Sequence, residues 1–545
     1  MIKKFILSVI FATMGSVVVG QSIQTPPRLV VNIVVGAMRA GDIDRYRALF
    51  GDDGFVKLAD DGVNFTSANY NFHQTITPTS LATLSTGALP SAHGVVGQVW
   101  WEYILGDKVD LIADKGVKNL DYNIRDAGYS AHKLVAQTLS EALISANPKS
   151  QSASVAIDPQ SAIMMCGAEG GTPYWIDRLT CEWGSSTAFM KSLPGWVSFY
   201  NKSAIMNEII HEKWISMLPK RFYVNTYSSR LKSKSEDDKY EADILSKGSS
   251  REAQLATKYE QISHTPVGNK LILEYAKQVV ENMNLGGDEH PDILNIYFDP
   301  ARNIAQRYGA SSVETEDMLH SLDYDLGSFM RFINKRIPAG EVVYVLTSDH
   351  GISPTYGDDQ EPKGKFNSSQ FIVLTDSFLR ARYGEEGNWI LGYNARNLYL
   401  NHELIYQRNL SISEVQNEVA SFALQFRGVA HALTASALRN GYFAGGYGAK
   451  MQNSFYPRRS GDIILNFMPG WIDDIEGVRA DAGSTYNYDT HVPLMILGEG
   501  YFIRKTIKRD VKMESVAPTI AHILQIESPI ASDGKAIDEI VDILK

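Results

Sequence analysis

Cysteine is almost missing from this 545-residue chain, which has Cys166 and Cys181 and no others, so at most one intrachain disulfide is available to it. A basic surplus is missing too. Lys and Arg number 52 against 62 Asp and Glu, a formal charge of −10 that argues against a clamp on a phosphate backbone, and nucleic acid is not an expected partner. No internal repeat, coiled coil or low-complexity tract is visible. Past residue 20 there is no apolar run long enough to span a bilayer. With 44% apolar and 21% charged residues, the chain has the composition of a folded globular protein too large for one minimal core.

At the start, a basic pair Lys3-Lys4, an apolar middle and small residues before Gln21 read as a secretory signal peptide over 1–20. The expectation is a mature chain, 21–545, that is periplasmic or secreted and free of a transmembrane anchor. In an oxidising compartment Cys166 and Cys181 are expected to pair.

Apolar, β-branched runs recur at Leu29–Val35, Ser154–Ile157, Ile293–Phe298, Val342–Thr347, Asp462–Phe467 and Val492–Leu497. Helical spacing lies between them, as in Lys270–Met283 and Val313–Ile333. This alternation predicts an α/β fold with a mostly parallel central sheet and helices on both faces. Two stretches lack the rhythm and read as insertions, about 173–265 and about 377–447.

One of these strands ends in Ser348-Asp349-His350-Gly351, which delivers a carboxylate and an imidazole to the carboxyl edge where open α/β sheets bind ligands. Both are donors that zinc accepts. A second segment, Thr75-Ile-Thr-Pro-Thr-Ser-Leu-Ala-Thr-Leu-Ser-Thr-Gly87, reads as a helix with Thr77 capping its start, Pro78 in its first turn and Gly87 closing it. The Thr77 hydroxyl would then stand at the positive end of a helix dipole, where an alkoxide is favoured.

These segments, with Arg28–Arg39, Leu89–Gly97, Thr265–Asn269, Val313–Asp317, Arg459-Ser-Gly-Asp462, Tyr488–Pro493 and Ala517-Pro-Thr519, resemble in order and spacing the alkaline phosphatase superfamily. The resemblance is greatest to the single-domain bacterial PafA-type enzymes with a threonine nucleophile. It implies two zinc ions at the strand ends, Thr77 as nucleophile, Asp349 and His350 as ligands beside it, and His491 and Asp299 as ligands of the other ion. It also exposes departures. Gly36 stands where the first strand should end in a ligating aspartate. Asn303 or Gln306 replaces a histidine after Asp299, with Arg302 adding a fixed positive charge. Gln98 replaces a phosphoryl-binding asparagine, and Asp158-Pro159-Gln160 replaces a Lys-x-Arg phosphate clamp. Asp42, Asp44, Asp158 and Glu361 are further carboxylates that folding could bring to a metal. His93 reads as structural, and Trp100-Trp101 as packing on the sheet.

With these losses, zinc is expected at one ion or fewer and phosphate monoester binding is expected to weaken by several kcal/mol. Two functions follow as expectations. One is a catalytically impaired member whose cleft holds a small phosphorylated molecule or whose surface meets an envelope protein partner. The other is a working phosphoric or sulfuric ester hydrolase that uses Thr77 with substitute ligands.

Overall fold

The structure is a computed structural model that describes residues 25–120, 127–233, 238–242, 250–355 and 364–544. The signal-peptide reading of 1–20 and the candidate Glu361 lie outside the described residues. No helix among the described residues is long and apolar enough to cross a membrane.

Among the described residues, ten strands form the central sheet. Its order is Lys505–Ile507, Val63–Asn69, His491–Leu497, Val342–Thr347, Leu29–Val35, Asp292–Phe298, Ser152–Val155, Thr172–Ile176 and Trp183–Gly184, with Val511–Lys512 also pairing to Val63–Asn69. The run from Val342–Thr347 to Thr172–Ile176 is parallel throughout, whereas His491–Leu497 is antiparallel to both its neighbours. Leu29–Val35 sits in mid-sheet, and alternate side chains serve two cores. Leu29, Val31, Ile33 and Val35 pack with residues of helices Pro266–Met283 and Val313–Arg336. Val30 and Val34 pack with those of Thr77–Thr86, Leu139–Ala146, Pro159–Cys166 and Val516–Ile523. Burial on both faces explains why these strands are unbroken apolar runs rather than alternating ones.

A second sheet of four antiparallel strands, ordered Ile390–Asn394, Asn397–Leu400, Ile463–Phe467 and Val429–Thr434, carries its own core around Phe366, Phe371, Trp389 and Leu398. The run read at Asp462–Phe467 therefore belongs here and not to the central sheet. Likewise the insertion expected from about residue 173 begins later, because Thr172–Ile176 pairs in parallel with Ser152–Val155.

The expected disulfide is absent, and both cysteines are free and buried. Cys181, left-handed at φ 56°, directs its Sγ to the Leu255 carbonyl at 3.6 Å. Cys166 ends the helix Pro159–Cys166 with its Sγ against Gly171, so close that a Cβ there would lie 2.2 Å from it.

A candidate active site with an arginine at its centre

Four adjacent parallel strands end at one edge and deliver Asp349-His350, Gly36, Asp299 and Asp158 side by side. The helix Thr77–Thr86 enters the same edge, wholly buried, with Ile76 rather than Thr77 as its N-cap and Gly87 closing it at φ 67°. Thr77 does not cap. Its side chain turns into the cleft, where Oγ1 donates to Asp349 Oδ2 at 2.7 Å and accepts from Arg302 Nη1 at 2.8 Å.

Around this pair the network is dense. Tyr297 donates its hydroxyl to Asp349 Oδ2 at 2.7 Å, while Asp349 Oδ1 accepts the backbone N–H groups of Ala37 at 3.0 Å and His350 at 2.9 Å. His350 Nδ1 lies 2.6 Å from the Gly351 carbonyl, so that nitrogen carries a proton, and Nε2 lies 3.3 Å from Asp349 Oδ2 and 3.5 Å from Thr77 Oγ1. Arg302 is braced by Asn303, whose Oδ1 accepts from Nε at 3.2 Å and from Nη2 at 3.1 Å. Burial alone would lower the Arg302 pKa; Tyr297, Asp299, Asp158 and Asp349 together raise it instead, so the guanidinium is a permanent cation. Burial, with Asp349 beside it, likewise raises the Tyr297 hydroxyl and keeps it a donor.

The expected ligands are distributed unevenly. Thr77, Gln98, Asp158, Gln160 and His350 line one cavity of about 440 Å³, with Arg302 among them. Asp349 lies directly beneath Thr77. Asp299 is buried below the floor, where Oδ2 accepts from the N–H of Ile157 at 2.7 Å and of Asp158 at 3.2 Å, and Oδ1 from Ser161 Oγ at 2.9 Å. Asn303 is engaged with Arg302 and donates to the Ser263 carbonyl at 3.1 Å. His491 does not reach the cleft: its Nε2 meets the Thr66 carbonyl at 3.0 Å, and Ala482 and Gly483 form that stretch of the cavity wall. Gln306 does line the cavity, with Nε2 on Asp481 Oδ1 at 3.0 Å. Asp42 pairs with Arg39, and Trp100 is buried beneath the Arg459 guanidinium. His93 is buried between Thr83 and the Val95 N–H, with a pKa that burial pulls down to about 3.

These donors do not fit a pair of zinc ions. The second position would have Asp299 already accepting three hydrogen bonds, an amide held by Arg302, and no histidine. At the first, Gly36 offers no carboxylate, and a Cβ there would lie 2.7 Å from Arg302 Cβ and 2.8 Å from the Tyr297 hydroxyl. Among the described residues no group of three or more His, Cys, Asp and Glu side chains could hold a metal ion. The charge of Arg302 is visible in the sequence, whereas Tyr297 is hidden there because its hydroxyl emerges from an apolar strand.

The fold and the strand-edge site define a protein of the alkaline phosphatase superfamily. A model of the family described as type I phosphodiesterase / nucleotide pyrophosphatase matches residues 30–474, and the chain belongs to that family of phosphoester hydrolases. It is 26% identical over 521 residues to alkaline phosphatase PhoV of Synechococcus elongatus, covering 94% of this chain and 93% of PhoV. It is 25% identical to alkaline phosphatase PafA of Elizabethkingia meningoseptica, covering 94% of each. The crystal structure of wild-type PafA superposes with a TM-score of 0.84 at 23% identity, over 94% of this chain and 99% of PafA.

Proposed function

We propose that this protein is an exported member of the family in which the Arg302 guanidinium, rather than a pair of zinc ions, supplies the positive charge at Thr77. On this reading the cleft binds a phosphoester-type ligand but has little or no phosphate monoesterase activity. The observation that carries it is the contact from Arg302 Nη1 to Thr77 Oγ1, with Tyr297 and Arg302 filling the space over Gly36. Asp158 supports it further, since a carboxylate in the cavity wall opposes a phosphate dianion. Export rests on the sequence of residues 1–20, and an envelope protein partner remains part of the proposal.

A specific arrangement favours a second reading, an active ester hydrolase with altered specificity. Thr77 already donates to Asp349 and accepts from a cation, so it is poised as a nucleophile with a base in contact. If a metal were held there, Asp349, His350 and Thr77 would hold it, and it would supply Lewis-acid chemistry. Elemental analysis of the purified mature protein, together with turnover of aryl phosphate mono- and diesters, separates the two. Fewer than one zinc per chain and no Thr77-dependent turnover support the first reading. Turnover at roughly 1 to 10³ per second that Thr77→Ala abolishes overturns it.

A further inference from the structure

Beside Thr77 the cavity wall carries two buried side chains with unmet hydrogen-bonding capacity. Gln74 donates through Nε2 to the Ala395 carbonyl at 2.5 Å, but its buried Oε1 has no partner among the described residues. Arg396 donates through Nη2 to the Ala482 carbonyl at 2.9 Å, stacks on Phe467 at 4.6 Å and lies 3.7 Å through Nε from Asp473 Oδ2, but its buried Nη1 has no hydrogen-bond partner among the described residues either. Both residues line the cavity that holds Thr77 and are 2% and 3% exposed. The backbone is set to place them. Ala395 and Arg396, at φ 45° and 63°, form the two-residue turn between strands Ile390–Asn394 and Asn397–Leu400, and Gln74 is left-handed at φ 59°. Left-handed backbone at non-glycine residues costs energy and clusters at ligand sites.

An unmet acceptor and an unmet donor on one wall select against a simple anion. A carboxylate or phosphate would satisfy Arg396 and be repelled by Gln74 Oε1. Hydroxyl groups can do both, accepting from Arg396 and donating to Gln74 Oε1. The remaining lining points the same way: Gln98, Gln160 and Asn394 offer neutral amides, and Asp158 and Asp481 offer acceptors that suit hydroxyl donors.

We infer that this wall is a subsite for a hydroxyl-rich, sugar-like or polyol moiety, so that the ligand class is a polyol phosphoester rather than an aryl or alkyl one. The inference rests on the reading of the Thr77 cleft as a phosphoester site and names the group attached to the phosphorus.

The test is calorimetric titration of the full mature chain with two monoanionic phosphodiesters, the methyl ester of glucose 1-phosphate and methyl phenyl phosphate, which share the phosphoryl group and differ in hydroxyls. The expected result is about tenfold tighter binding of the glucose diester, the effect of meeting a buried orphan pair. That ratio should collapse toward one in Gln74→Met, which keeps the bulk and removes Oε1, and in Arg396→Lys, which keeps the charge and removes Nη1. Two variants guard against one failing to fold. Equal affinities for the two esters in the parent protein, or a ratio that survives in the folded variant, overturn the subsite and leave the phosphoester reading standing. No binding of either ester overturns the phosphoester reading and the inference with it.

Discussion

Replacing Arg302 by alanine tests the proposal that its guanidinium substitutes for a metal. The side chain donates to Thr77 Oγ1 and twice to Asn303 Oδ1, and lies 4.0 Å from Asp299 Oδ1. Its removal leaves the carboxylates of Asp349, Asp299 and Asp158 with no cation in the cleft floor. Losing one partner of a buried ionic network costs about 3–5 kcal/mol. The lower end applies here, because the Arg302 side chain is 17% exposed and the cleft admits water.

The second half of the prediction is a gain. Without the guanidinium, Thr77 Oγ1 loses its cationic partner beside Asp349 Oδ2 and His350 Nε2, and a divalent cation held by these donors should restore the missing charge. Zinc at a hundred times its dissociation constant would return about 2.7 kcal/mol. Urea unfolding of parent and variant, each in chelator and in zinc, reads both effects. The expected pattern is a variant weakened in chelator and rescued by zinc, beside a parent that zinc does not move. Arg302→Lys should fall between, since an ammonium keeps the charge but cannot reproduce the fork held by Asn303. The reasoning fails if the alanine variant is as stable as the parent in chelator and indifferent to zinc, while zinc stabilises the parent in a Thr77-dependent way.

Gly36→Asp alone should not restore a ligand: its Cβ would also lie 2.9 Å from the Phe298 carbonyl, so overpacking should cost about 1–3 kcal/mol, seen as a lower thermal midpoint with no gain in zinc binding. Cys166 and Cys181 should be silent to a thiol reagent in the native protein, because burial pushes their pKa values up to about 12 and about 11; both should titrate in denaturant without reductant. Asp489 accepts from the Ser484 N–H at 2.7 Å through Oδ2, while Oδ1 has no partner among the described residues, and burial raises its pKa from 3.8 to about 6. The folded chain therefore holds a proton that the unfolded chain releases, a contribution to stability present below 3.8 and lost as pH rises through about 6. Asp489→Asn removes that loss, so its stability relative to the parent should climb by roughly 1–3 kcal/mol between about pH 4 and pH 7, measured by denaturation at each pH.

The central strands were legible because burial on both faces leaves no alternation to confuse: Leu29–Val35 and Val342–Thr347 have the bounds their apolar runs give. Asp349, His350 and Thr77 were legible for a related reason, since a strand end and a helix start fix where a side chain begins. His491 was not. It stands at the first residue of its strand, beside the correct sheet edge, but its ring turns toward the outer strand Val63–Asn69. One residue of register decides which face a strand side chain takes, and a motif shows order without showing face. The cysteines misled for a similar reason: a short sequence separation says nothing of where two sulfurs point. Gln74 and Arg396 gave no signal at all, because an unmet hydrogen bond exists only once the surrounding backbone is in place.

Three of the departures from the family pattern, Gly36, Arg302 and Asn303, look independent along the chain, but in space they are one arrangement. Gly36 is required where it stands because Arg302 and Tyr297 occupy the volume over it. Tyr297 then donates to Asp349, the role left vacant when no metal draws that carboxylate. Asn303, a weak zinc donor, is well suited to brace a guanidinium through its carbonyl oxygen. Each substitution makes the next tolerable and the reverse of any single one costly, which is the behaviour of contacting residues whose energies do not add. A return to a two-metal site therefore needs Gly36, Arg302 and Asn303 to change together with repacking around Tyr297, whereas loss of the Arg302 guanidinium alone makes room for at most one ion; the single reversion at Gly36 is the change the packing opposes most directly.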